Sequence, residues 1–183
     1  RLSMQPLKTM RDFDFLDPKI EDIDIEDIAS ALSKLCRFNG HCSIPFSVAE
    51  HSVYVSRYLE KQNLHRDFAR VGLLHDAAEA YIGDMVTPLK VLFPEFSALE
   101  NRILKLVFAK YFPHPFVDMQ FDILNLITNV DKAATATEAR YLCGSPVWAL
   151  KLDELEGYGP IVPMKHEEAY KLFMDRFYEL WTL

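Results

Sequence analysis

The stretch VGLLHDAAEAYIGD at residues 71–84 sets ionisable side chains in a segment that otherwise consists mostly of Val, Leu, Ile and Ala. The spacing predicts a largely buried helix with His75, Asp76 and Glu79 on one side and Asp84 just past its end. Buried carboxylates are costly without partners, or their pKa values rise. Because a divalent cation compensates them well, the stretch predicts half of a metal site.

Two other segments of the chain carry candidate ligands for the same site. Upstream, SVAEHS places His51 in the middle of an amphipathic helix, and downstream NVDKAATATEAR places Asp131 on an apolar helical face. Spacing alone does not select Asp131 over Asp118 or Asp122. Two imidazoles and two carboxylates would suit zinc, manganese, cobalt or iron(II), with positions open for water and substrate.

The apolar pattern indicates an all-α protein. A chain of 183 residues, half of them hydrophobic and only six of them Gly, favours a single domain over 1–183 with a sizeable core, after an irregular segment at 1–16. Helical periodicity predominates over alternation, so we expect a bundle of six or seven helices. The predicted helices span residues 23–38, 47–61, 66–81, 88–92, 96–111, 116–143 and 164–181.

Charge and apolar run lengths exclude several classes of partner. A net charge of −7 disfavours binding to a nucleic-acid backbone, which needs clustered Lys and Arg. There is no apolar run of membrane-spanning length and no basic amphipathic helix, so no membrane partner is expected. These features predict a cytoplasmic protein.

The cysteines agree with a reducing compartment. Cys36, Cys42 and Cys143 are odd in number and form no paired motif, which argues against a disulfide scaffold. Cys36, His41 and Cys42 lie close together in the sequence, but no second pair has the spacing of a structural zinc site. The cysteines are therefore expected to be free.

Four motifs occur in an order typical of one family: CRFNGH at 36–41, SVAEHS at 47–52, LLHDAAEAYIGD at 73–84 and TPLK at 87–90. Together they resemble the HD-domain metal-dependent phosphohydrolases, in particular the branch of bacterial HD-domain 5′-deoxynucleotidases and phage HD-domain dATP triphosphohydrolases. The resemblance implies an HD-domain helical bundle around one divalent ion, which could be Mn, Co, Zn, Fe or Mg. The implied metal ligands are His51, His75, Asp76 and Asp131.

The resemblance also implies roles for residues around the metal. Glu79 matches the catalytic acid/base of the family, and Asp84 matches an acidic residue near the attacking water or leaving group. Arg37 and Lys90 correspond to residues that contact substrate phosphate. Phe38 stands where the nucleotidases carry Trp, and it is either a substrate-binding aromatic or a core residue at a helix end.

Simpler structural roles remain open for single residues of the set. His51 could be a hydrogen-bonded core histidine, Arg37 a cation at a helix C-terminus, and Lys90 a solvated surface lysine. Without the resemblance, these simpler roles are the commoner ones for each residue alone.

The predicted function is metal-dependent hydrolysis of (deoxy)nucleotides, in which metal-activated water attacks a phosphate ester or anhydride. Whether a monophosphate or a triphosphate is cut stays open. One alternative is an HD-fold regulatory module that binds metal and nucleotide without significant turnover. Another is a phosphodiesterase acting on a cyclic or alarmone-type nucleotide. The expected partner is a small-molecule nucleotide, and the resemblance implies a homodimer.

Overall fold

A computed structural model describes residues 4–9, 12–62, 64–112 and 120–182, and this part of the chain is mostly helical. The prediction of an all-α bundle is confirmed. None of the described helices combines the length and apolar composition needed to cross a bilayer. The α-helices are α1 Ile25–Leu32, α2 Val48–Lys61, α3 Arg66–Leu74, α4 Glu79–Ile82, α5 Thr87–Lys90, α6 Pro94–Tyr111, α7 Gln120–Leu142 and α8 His166–Trp181.

The N-terminal segment differs from the prediction of an irregular stretch over 1–16. Strands β1 (Met4–Pro6) and β2 (Asp12–Asp14) pair antiparallel, with Met4 opposite Asp14. Phe13 in β2 is fully buried and stacks on Tyr81 with ring centroids 4.3 Å apart. Tertiary packing therefore holds strands that are too short to show alternation in the sequence.

Helix α1 ends at Leu32, earlier than the predicted boundary at residue 38. Beyond it the backbone extends, the Leu35 carbonyl accepts a 3.0 Å hydrogen bond from the Val48 N–H, and Cys36 forms an isolated antiparallel bridge with Ser47. The backbone after α1 therefore pairs with Ser47 and Val48, more than ten residues further along the chain, and does not continue the helix. The result is a closed loop between α1 and α2 that carries Arg37.

Helices α2 and α3 pack closely and bring two histidines together. Ser47 caps α2 in a reciprocal capping box with Glu50, as the motif SVAEHS favours. Gly72 in α3 permits the close approach, because a Cβ there would lie 2.6 Å from Leu59 Cδ1 and 3.3 Å from the backbone of Ser56. His51, in the second turn of α2, is fully buried by this packing.

The predicted helix over 66–81 is interrupted at the HD dipeptide. Helix α3 ends at Leu74, turns occupy 75–78, and α4 begins at Glu79. Across the break the hydrogen bonds join residues three apart, from the Ala77 N–H to the Leu74 carbonyl and from the Glu79 N–H to the Asp76 carbonyl. The tighter turn changes which way these side chains point relative to one continuous helix.

Helices α7 and α8 complete the bundle. Helix α7 is described from Gln120 to Leu142, so the predicted start near residue 116 lies outside the described residues. Helix α8 matches the predicted C-terminal helix to within two residues at its start and packs against α1, α2 and α3. Helix α7 contacts α2 and α3, which sets its polar face against the two histidines.

Candidate metal centre

His51, His75 and Asp131 converge from three different segments of the chain. His51 comes from α2, His75 directly follows α3, and Asp131 comes from the middle of α7. One ligand atom from each lies within 4.8 Å of the other two. The Nε2 atom of His51 is 3.3 Å from that of His75 and 3.1 Å from Asp131 Oδ1. The described residues contain no second such group.

The other nitrogen of each imidazole determines what Nε2 can do. His75 Nδ1 is 2.8 Å from the Gly72 carbonyl oxygen, which can only accept, so Nδ1 carries the hydrogen. His51 Nδ1 is 2.7 Å from Glu138 Oε1, and an ionised carboxylate likewise accepts. In the neutral rings both Nε2 lone pairs therefore face the cluster. This is how metal-binding histidines are oriented by hydrogen bonds behind them.

Asp76 lies at the edge of the same cluster. Its Oδ2 is 3.2 Å from His75 Nε2 and 3.6 Å from His51 Nε2. On its other side Arg37 Nη1 approaches the same oxygen to 3.8 Å. Asp76 is thus positioned to add a fourth donor to the three-residue group.

The charged groups of the cluster shift one another's pKa values. Burial alone would lower the pKa of His75, but Asp76 and Asp131 outweigh it and raise that pKa well above its usual value. Burial likewise opposes the charged form of Asp131, yet the two histidines hold its pKa well below the usual range. Without a metal the site therefore favours protonated imidazole beside carboxylate. A cation would take the place of those protons.

The donor set fits a divalent cation. Two imidazole nitrogens and carboxylate oxygens converge, and hydrogen bonds behind both histidines orient them. The separations between donor atoms are those of groups that could share one ion. His51, His75 and Asp131 could hold it, and Asp76 is the nearest further donor.

Glu79 lies next to this cluster with an unsatisfied carboxylate oxygen. The residue is 5% exposed, and its Oε2 is buried with no hydrogen-bond partner among the described residues. Burial, reinforced by Asp76 and Asp84, raises the pKa of Glu79 well above its usual value. Burial also raises the pKa of Asp84, which interacts electrostatically with Arg37. Both acidic residues therefore belong to one charged environment.

Glu138 is a central residue that the sequence analysis did not assign to the site. It is fully buried; its Oε1 accepts from the Tyr158 hydroxyl at 2.6 Å and faces His51 Nδ1, and its Oε2 accepts from Arg37 Nε at 2.9 Å. Burial raises the pKa of Glu138, but Arg37 and His51 outweigh burial and lower it. A signal was present in the sequence, because Glu138 follows Asp131 by seven residues and so shares its helix face.

Arg37 is held by several acceptors at once. Besides Glu138, its Nη2 donates to Thr135 Oγ1 at 2.8 Å, and Thr135 donates in turn to Asp131 Oδ1 at 3.3 Å. The guanidinium is nearly buried, at 8% exposure for the residue. It is therefore a positioned cation beside the cluster and not a solvated one at a helix end.

Phe38 and Lys90 have other contacts in this structure. Phe38 packs against a small apolar cluster that includes Ala136 and Ala139, and its ring lies 5.5 Å from Arg37 Cζ. Lys90 Nζ forms a 2.7 Å ion pair with Glu100. The substrate-binding roles of Phe38 and Lys90 stay predictions.

The sequence left open which aspartate completes the site, and it offered Cys36, His41 and Cys42 as a second candidate group. Asp118 and the side chain of Asp122 lie outside the described residues, whereas Asp131 is in the cluster. Cys36, His41 and Cys42 do not form a group of metal-ligand atoms in the described part of the chain.

Comparison with known proteins finds relatives that match three quarters or more of the chain. The uncharacterized protein YfdR of Escherichia coli is 36% identical over 189 aligned positions that cover 98% of each chain. The uncharacterized protein RCAP_rcc00048 of Rhodobacter capsulatus is 34% identical over 145 positions, which cover 76% of this chain and 73% of the relative. No protein-family model matches the chain.

Proposed function

This chain belongs to the same family as YfdR of Escherichia coli, and from its cluster of two histidines and Asp131 we propose that it is a metal-dependent phosphohydrolase acting on nucleotides. The observation that carries the proposal is the convergence of His51, His75 and Asp131 beside the unpartnered carboxylate oxygen of Glu79. A site that only bound metal would not need the buried carboxylate of Glu79 beside the ligands.

The proposed metal ligands are His51, His75, Asp76 and Asp131. A bound divalent ion supplies charge that polarises a phosphoryl oxygen and lowers the pKa of water. Mixed imidazole and carboxylate ligands suit Mn, Co, Zn or Fe, and Mg is kept as a further candidate.

Glu79 is proposed as the residue that accepts and returns the proton. Burial, with Asp76 and Asp84, raises its pKa well above the usual value, which makes the ionised carboxylate a stronger proton acceptor. As water adds to phosphorus and the bond to the leaving oxygen breaks, Glu79 takes the water proton. Asp84, in the same electrostatic environment, is proposed to support the reacting end.

Arg37 is proposed to bind the phosphate. The Glu138 carboxylate fixes its Nε, which leaves Nη1 toward Asp76 and the cluster. A planar guanidinium offers paired donors to phosphate oxygens and stabilises charge that develops during transfer. Lys90 would have to leave Glu100 to take part.

A nucleoside is the proposed remainder of the substrate. An open groove of about 660 Å³, within the usual size range of small-molecule sites, is lined by Glu79 but by none of the proposed metal ligands. The residues that line it are mainly apolar and include Phe15 and Phe96, whereas Tyr81 contributes little surface because its ring stacks on Phe13. Aromatic walls favour a flat base over a compact sugar phosphate.

The proposal is tested with metal-stripped protein supplied separately with Mn²⁺, Co²⁺, Zn²⁺, Fe²⁺ or Mg²⁺. Nucleoside mono-, di- and triphosphates and one cyclic diester are offered, and orthophosphate, pyrophosphate and triphosphate products are resolved. We expect metal-dependent release of phosphate that Glu79→Gln slows by about 100-fold or more while metal is still bound. Asp153→Asn, at an exposed carboxylate outside the cluster, is the matched control.

Each contrary result has a definite meaning. Metal binding without turnover on any nucleotide would favour the regulatory module. Cleavage of the cyclic diester alone would favour a phosphodiesterase. Failure to bind any metal would overturn the proposal.

A further inference from the structure

The three cysteines of the chain gather near the loop that carries Arg37. The Sγ atoms of Cys36 and Cys42 are 3.7 Å apart, and Cys143 is near enough to interact electrostatically with both. All three are free and half-buried. The sequence did not predict this pairing, because the two cysteines are only six residues apart in a segment without a disulfide motif.

The loop between Cys36 and Cys42 is curled and anchored at both ends. Phe38 and Asn39 have φ values of 58° and 50°, and Gly40 follows at 77°, so three successive residues adopt the left-handed conformation. This run turns the chain back so that the two thiols face each other.

Backbone hydrogen bonds hold the two sides of the loop. The Arg37 N–H donates to the Phe46 carbonyl at 2.9 Å, and the Ser43 N–H donates to the Leu142 carbonyl of α7 at 2.7 Å. Between these anchors Asn39, Gly40 and His41 are exposed. The thiols are therefore constrained in position yet open to a small reagent.

We propose that Cys36 and Cys42 are a modification site that forms a reversible disulfide with a hydroperoxide as oxidant. Closing the bond requires the sulfurs, now 3.7 Å apart, to approach by about 1.7 Å, since an S–S bond is about 2.05 Å long.

The chemistry balances with one equivalent of hydrogen peroxide. One thiol loses its proton to solvent, and its thiolate attacks a peroxide oxygen; the O–O bond breaks, and a sulfenic acid and hydroxide result, the hydroxide taking a proton from solvent to become water. The second thiol then attacks the sulfenic sulfur, the S–O bond breaks, and a second water leaves. The sulfur pair loses two electrons and the peroxide gains them. A dithiol reverses the bond by exchange.

The bridge would act next to the proposed phosphate site. Cys36 directly precedes Arg37. Cys42 precedes Ser43, which is hydrogen-bonded to α7, the helix that carries Asp131 and Glu138. We expect oxidation to slow turnover by about tenfold or more, because displacements of about 1 Å around a reacting group reduce rates strongly. This consequence rests on the proposed function, whereas the bridge itself does not.

The test follows the bond directly by mass spectrometry. The reduced full chain is treated with one equivalent of peroxide, its remaining thiols are alkylated, and it is cleaved with trypsin without reduction. Cleavage after Arg37 separates the two cysteines into peptides 35–37 and 38–57, while Cys143 falls in peptide 141–151. We expect peptides 35–37 and 38–57 to be joined, with the loss of two hydrogens, and Cys143 to be alkylated.

Variants make the assignment specific. Cys36→Ser and Cys42→Ser should each abolish the joined peptide, and Cys143→Ser should retain it as the matched control. Alkylation of all three cysteines, a bridge to Cys143, or oxidation of a single cysteine to sulfinic acid would overturn the proposal. Unchanged turnover in the bridged protein would refute the coupling to Arg37. Absence of turnover before oxidation would instead count against the proposed function, and the peptides would still decide the bridge.

Discussion

The Nε2 atoms of His51 and His75 lie 3.3 Å apart, and the Nδ1 atom of each ring is already engaged by an acceptor. Two neutral imidazoles held in this way direct lone pairs at one another. Only a shared proton or a cation between them relieves the repulsion. The pair therefore links metal binding to pH, and metal affinity should fall as the solution is acidified.

Binding of the metal should stabilise the fold. At a free concentration of about 100 times its Kd, an ion adds about 2.7 kcal/mol, which corresponds to a rise in Tm of about 5–10 °C for a chain of this size. We expect this rise with Mn²⁺ in thermal unfolding, and expect Asp131→Asn to remove it. Asp153→Asn should retain it; an equal rise in both variants would mean that the ion binds elsewhere.

Glu138 should act on the metal through His51. Glu138→Gln weakens the hold on the ring and leaves buried Arg37 without its ion pair. We expect metal affinity, measured by calorimetry, to fall about 10–100-fold. The free energy of unfolding in chelator should fall by about 3 kcal/mol. Glu154→Gln, which breaks the half-exposed ion pair of Arg140, is the control and should cost less than about 1 kcal/mol. Equal losses in both variants would contradict the role given to Glu138.

Glu79 should make stability depend on pH in the metal-free protein. Because its pKa is raised on folding, the stabilisation it contributes is present below the unfolded pKa and is lost as pH rises through the folded value. Glu79→Gln should therefore be more stable than the wild type at about pH 8 and equal to it at about pH 4. Urea unfolding in chelator measures both. If Glu79→Gln were less stable than the wild type at about pH 8, ionisation of Glu79 would not destabilise the folded protein at that pH.

The same substitution should reduce turnover by about 100-fold or more while metal remains bound, since general acid–base groups contribute 10²–10⁴-fold. Metal content measured on the same sample separates this effect from loss of the ion. A variant with full turnover would remove Glu79 from the proposed chemistry.

Lys90 and Glu100 form an ion pair, and substitutions of the two residues should affect KM differently. If Lys90 moves from Glu100 to substrate phosphate, Lys90→Met should raise KM about 10-fold or more, the effect of losing a charged hydrogen bond. Glu100→Gln should leave KM unchanged or lower it, because it releases the lysine. Initial-rate kinetics on the best nucleotide measures both. A rise in KM in both variants would make the ion pair structural.

The sequence by itself determined the helical class and most helix boundaries. Helical periodicity is local, so the predicted helices over 47–61 and 96–111 lie within two residues of α2 and α6 at both ends. The same local pattern on the 71–84 stretch identified His75 as a candidate ligand, because a polar group in an apolar segment needs a partner. The resemblance, and not spacing, selected Asp131.

Only the tertiary structure decided how these residues meet. The predicted helix over 66–81 is interrupted at His75, where tight turns separate α3 from α4. Helix α1 ends earlier than predicted because the backbone near Cys36 pairs with Ser47. The tertiary structure brought Glu138 and Tyr158 behind His51 from the far end of the chain. Contacts across 87 and 107 residues depend on how helices pack, and no local pattern encodes that distance.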